Sequence, residues 1–147
     1  MGSGAQNTSE STAYLTLVLF NAGQTPAAIE AHHVAGLASS ASMQRFTNAE
    51  CLLLNAQNIS VPPSRWLTLQ DAQGPWQLGV AGEVVLAHVA ISALYPLPPL
   101  IAARHESPAL RGVMLKDQTL CLLFDGAALS PGQPILPATE SPSRLML

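Results

Sequence analysis

The sequence predicts a small all-β domain, and three observations predict it. Its apolar residues fall in runs too brief for typical helices. Those runs are rich in β-branched and aromatic side chains, which suit a pleated, half-buried surface. Between them stand clusters of Gly, Asn, Asp, Ser and Pro that read as turns. Counting gives about seven strand candidates at short spacing, the pattern of a barrel or sandwich. No internal repeat of fixed period is visible.

The first strand is Ala13 to Phe20, ending at the turn signal Asn21-Ala22-Gly23-Gln24. Only Thr16 interrupts its apolar character, so both of its faces should be covered. From Ala27 to Leu37, Ile29, Ala31 and His33 alternate with Glu30, His32 and Val34, which favours a second strand pairing back on the first over an alanine-rich helical turn. Ser39-Ser40-Ala41-Ser42 marks a loop. Another short apolar run, Glu50 to Asn55, precedes a proline-bearing connection through Val61-Pro62-Pro63.

A strand pattern resumes at Arg65-Trp66-Leu67-Thr68-Leu69-Gln70. Asp71-Ala72-Gln73-Gly74-Pro75 is a strong turn, so a hairpin into Trp76 to Val80 should follow. Gly82 to Tyr95 is long enough for a helix, but Val84, Val85, Val89 and Ile91 are stiff at χ1, and a long or bent strand is favoured. Pro96, Pro98 and Pro99 end regular pairing, having no N–H to give. Leu110 to Leu115 and Thr119 to Phe124 flank Lys116-Asp117-Gln118 as a hairpin, closed by Asp125-Gly126. Prolines at 131, 134, 137 and 142 exclude one continuous C-terminal helix.

These boundaries divide the chain into a flexible leader over 1–12, one domain over 13–129 and a proline-rich tail or strap over 130–147. A chain of 147 residues suits one such domain. The leader lacks the basic and apolar regions of a signal peptide. Charge-free stretches are broken by Ser, His or Pro, so no membrane span is expected and a cytoplasmic location is the default.

Composition narrows the function. Hydrophobic residues make up 48% and charged residues 10%, against roughly 25% charged in soluble domains. So few charges cannot cover the core, and some apolar area should stay exposed as a partner surface. The six basic residues, against nine acidic ones, are scattered, which leaves no basic stripe for nucleic acid. Cys51 and Cys121 sit within leucine-rich runs and read as buried free thiols.

The succession Gly74-Pro75-Trp76-Gln77-Leu78-Gly79-Val80, Gly82-Glu83-Val84-Val85, Tyr95-Pro96-Leu97-Pro98-Pro99, Leu110-Arg111-Gly112-Val113 and Leu120-Cys121-Leu122-Leu123-Phe124-Asp125 resembles the second half of a CheW-like chemotaxis coupling domain. Tyr14 to Phe20, the Asn21-to-Gln24 turn and the Ala27-to-Leu37 run are similar to that family's opening hairpin. Residues 38–50 depart from it, lacking the glycine- and arginine-containing stretch usual there. The resemblance implies two small SH3-like five-stranded β-barrels sharing one chain. It also implies a non-catalytic adaptor whose partners are a chemoreceptor and the regulatory domain of a histidine kinase. Binding would use barrel faces and strand edges, with Val34, Leu37, Trp66 and Trp76 as the expected contact residues.

No cofactor, metal or catalytic group is expected. In a strand, His32 and His33 would point to opposite faces, keeping both off one ion. His88 and His105 have no partner at ligand spacing beyond Glu106. Neither a Gly-x-Ser-x-Gly elbow nor a phosphate-cradling loop is present. Asp125 reads as a turn or cap residue, and Trp66 and Trp76 as cross-strand partners flanking a turn. Two other readings are a ligand-binding β-barrel with an apolar cavity and a degenerate CheW-like structural subunit forming a homodimer.

Overall fold

The computed structural model describes residues 13–96 and 109–131, so the expected leader, most of the proline-bearing linker and nearly all of the tail lie outside the described residues. Among the described residues, nine strands run in the order β1 (Tyr14–Ala22), β2 (Thr25–Glu30), β3 (Gly36–Ala38), β4 (Phe46–Asn48), β5 (Arg65–Asp71), β6 (Gly74–Ala90), β7 (Leu94–Pro96), β8 (Leu110–Lys116) and β9 (Thr119–Phe124). They join in the spatial order β3-β5-β6-β1-β2-β9-β8-β7, with β4 on β6. One α-helix, α1 (Ala49–Leu54), stands among them. The fold is mostly β, as the sequence predicts.

β1 carries the organisation. Leu17, Val18, Leu19 and Phe20 are all buried, because alternate side chains enter different cores. Val18, Phe20 and Ala22 join a large core with Trp76, Leu78, Leu67, Leu69 and Phe124. Leu17 and Leu19 join a smaller one with Ala28, Met114 and Cys121. β2 and β9 divide in the same way: Ile29 and Phe124 face the large core, Ala28 and Cys121 the small one. A ribbon of β1, β2 and β9, in which β2 and β9 run parallel, is therefore a wall apolar on both sides.

The long strand β6 serves both sides by bending. Its first part pairs with β5, Leu67 opposite Leu78 and Leu69 opposite Trp76. Its second part pairs with β1, and the register shifts between Leu19 and Asn21. Gly82 sits at the bend with φ +70, and a Cβ there would fall 2.7 Å from Asn21 Nδ2, so both conformation and space call for glycine. The favoured reading of 82–95 as a bent strand thus holds as far as Ala90.

One expectation is corrected. The second strand stops at Glu30, and Ala31–His33 form a 3-10 turn. The run at Glu50 enters α1, whose Ala-Glu-Cys-Leu-Leu-Leu contains no β-branched residue to disfavour helix. Asn55 ends it in the left-handed conformation at φ 59, and Leu53 plugs the large core.

Polar side chains pin the loops to the sheet. Gln77 Oε1 accepts from the Ser42 and Met43 N–H groups at 2.7 and 3.1 Å, which lays residues 42–45 along β6. Arg45 pairs with Asp71, which also accepts from Gln73 N–H and Ser130 Oγ. The Arg45 guanidinium, ahead of the other contacts, holds the Asp71 carboxyl down at about 2. Glu50 accepts from the Ser60 hydroxyl and N–H, and the Ser60 hydroxyl lowers its pKa most.

Candidate protein-binding surfaces

The four expected contact residues do not form one patch. Trp76 is wholly buried in the large core and so offers no surface to a partner. Val34 is half-buried against the same core. Leu37 is 53% exposed on the edge strand β3, opposite buried Leu67. Trp66 is half-buried on the other face of that sheet. The two tryptophans are not cross-strand partners: Trp66 lies opposite Gly79 and Trp76 opposite Leu69, so strand alternation turns them to opposite faces.

Trp66 nevertheless anchors a patch. A Cβ on Gly79 would fall 2.8 Å from Trp66 Cζ3 and 2.9 Å from Pro63 Cβ. The bare glycine thus lets the indole and the proline lie against the strand. Phe46, 51% exposed, meets Trp66 edge-on with ring centroids 5.6 Å apart, a favoured aromatic geometry. Trp66, Phe46 and Pro63 make one apolar surface, while Leu37 lies at the sheet edge on the opposite face. The sequence offers Phe46 only as an isolated aromatic between polar neighbours, and it is absent from the expected contact residues.

The β8–β9 hairpin carries a second exposed apolar pair. Leu115 and Leu120 face each other across it and are 61% and 50% exposed. Leu86, 67% exposed, stands on another strand, β6, opposite Val18 of β1. The hairpin turns through Asp117 and Gln118, both at positive φ, as a type I′ turn requires. Leucines beside such a turn contribute little to either core.

A cleft of about 220 Å³ is lined by Glu30, His33, Arg111 and Asp125 together with Leu123 and Phe124. Asp125 caps the 3-10 turn Gly126–Ala128 by accepting from Ala127 N–H at 2.9 Å, the role its sequence position suggests. Arg111 Nη2 lies 3.3 Å from the other Asp125 oxygen. The 3-10 turn overturns the expected divergence of the histidines: the His32 and His33 ring centroids are 4.0 Å apart. Neither Cys51 nor Cys121 is in a disulfide; Cys121 is buried and Cys51 partly so.

Three antiparallel hairpins, β1–β2, β5–β6 and β8–β9, joined through the parallel β2–β9 pair into one continuous sheet, make a CheW-like fold. The match is to the scaffolding protein TtCheW from Thermoanaerobacter tengcongensis, with a TM-score of 0.57 at 9% identity over 76% of this chain and 89% of that one. At such low identity it is the fold that is shared, in divergent form. The sequence matches no family model and no curated protein. Among the described residues, no helix is long and apolar enough to cross a membrane.

Proposed function

We propose that this chain is a non-catalytic, cytoplasmic adaptor of a chemosensory or related two-component assembly, joining a chemoreceptor to the regulatory domain of a histidine kinase. The observation that carries the reading is the likeness to a scaffolding protein. The exposed apolar residues on a chain with 10% charge support it, since such patches mark partner surfaces. In this reading β3, β4, β5 and the first part of β6 belong to one small barrel, and β7, β8, β9 and the second part of β6 to the other, with β1 and β2 between. Trp66, Phe46 and Leu37 contact a partner directly, and Val34 and Trp76 support them from the core.

For the ligand-binding alternative, a cavity of about 300 Å³ among the described residues is lined by Leu19, Phe20, Pro26 and Cys121 but also by Asn21, Glu83 and Asp117. Two carboxylates in the lining disfavour a lipophilic occupant. The test is a pull-down of the full chain against a histidine kinase regulatory domain and a receptor tip from the same cell. Retention of the kinase domain is expected. Retention of neither, with light scattering showing a dimer, would replace the adaptor by a structural subunit.

A further inference from the structure

We propose that Glu30, His32 and His33 bind one divalent transition-metal ion of the zinc, nickel and copper group. The proposal is independent of the adaptor role and comes from the 3-10 turn. Side chains on a 3-10 helix step by about 120° rather than the 180° of a strand, so two consecutive imidazoles can serve one ion. One ligand atom from each of the three residues lies within 4.8 Å of the others. Around a tetrahedral ion with bonds of about 2.1 Å, donors stand roughly 3.4 Å apart. Glu30 Oε1 and His32 Nδ1 are already 3.2 Å apart, and His32, 68% exposed, is free to swing the remaining distance.

A carboxylate stands beside the more buried histidine. Asp125 Oδ1 lies 3.8 Å from His33 Nε2, and that carboxylate is itself fixed by Ala127 N–H and Arg111. Carboxylates in this position orient ligating imidazoles and raise their basicity. Gly126 completes the seat, because a Cβ there would fall 2.7 Å from His33 Cβ. The donor set is two imidazoles and one carboxylate without thiolate, which selects borderline cations over the oxygen-seeking magnesium and calcium. Glu30 ends β2 and Asp125 follows β9, so the ion would clamp the turn leaving β2 to the end of the parallel pair.

Calorimetric titration of the full chain, carrying no affinity tag, with zinc chloride and with nickel chloride at pH 7.5 tests the site. One ion per chain with a micromolar dissociation constant is expected. His32→Ala should weaken binding by about tenfold or more with an unchanged circular dichroism spectrum, since its side chain lies largely in solvent. His88→Ala should bind as the parent does, and a cobalt titration should show the visible absorption of a nitrogen-ligated ion, absent from His32→Ala. Absence of saturable binding, or binding that His32→Ala leaves intact, would overturn the proposal.

Discussion

The two sides of the β1-β2-β9 wall use the same strands and reach different ends. On one side, the large core is closed by a helix, a hairpin and two loops pinned through Gln77 and the Arg45–Asp71 pair, with Trp76 at its centre. On the other, five buried residues make the small core, and the hairpin continues past it to present Leu115 and Leu120 outward. Burial of apolar area stabilises in proportion to the area removed from water. The first side should therefore hold the fold together, while the second keeps apolar area free. A chain this poor in charge does not have the polar residues to finish both.

The comparison is sharpened by substitutions of decreasing effect. Trp76→Ala should cost about 3–5 kcal/mol in urea unfolding, and Trp66→Ala distinctly less, because only the first indole is enclosed. Equal losses would mean that Trp66 is as much a core residue as Trp76. Met114→Ala in the small core should cost about 2 kcal/mol, the low end of the usual range, since an open site can relax. A loss matching that of Trp76→Ala would erase the distinction between the cores.

Acid should act on the closed side through Asp71. Its folded-state pKa of about 2 lies below the ordinary aspartate value of 3.8, so its contribution is full above about pH 4 and is lost as pH falls through about 2. Thermal melts of Asp71→Asn should show a smaller drop in midpoint than the parent across that window. A parallel drop would put the acid sensitivity elsewhere. On the open side, Gln118 holds a left-handed conformation that disfavours most side chains. Gln118→Gly should stabilise by about 1 kcal/mol, and a loss of stability would show that the side chain, not the backbone, sets that turn.

What the sequence makes legible follows from periodicity. The unbroken apolar run of β1 shows a strand covered on both faces, and the polar pair between two apolar runs shows the β8–β9 hairpin. Parity within a strand is harder. Trp66 and Trp76 differ only in which face the register selects, and that depends on the length of the turn between them. The histidine pair is hard to read for a similar reason, since its geometry depends on the strand ending at Glu30, six residues before Gly36, the first turn-forming residue type to follow. Phe46 becomes part of a surface only because Gly79, far along the chain, leaves room for Trp66 beneath it.

The central claim is that an outward apolar surface, rather than a chemical group, performs the function. Calorimetric titration of the full chain and of a Phe46→Ser, Trp66→Ala variant into a histidine kinase regulatory domain measures it most directly. The account predicts saturable binding by the parent, weakened at least about tenfold in the variant, as loss of paired aromatic anchors does, while the variant stays folded. A parent that does not bind, or a folded variant that binds equally well, would contradict it.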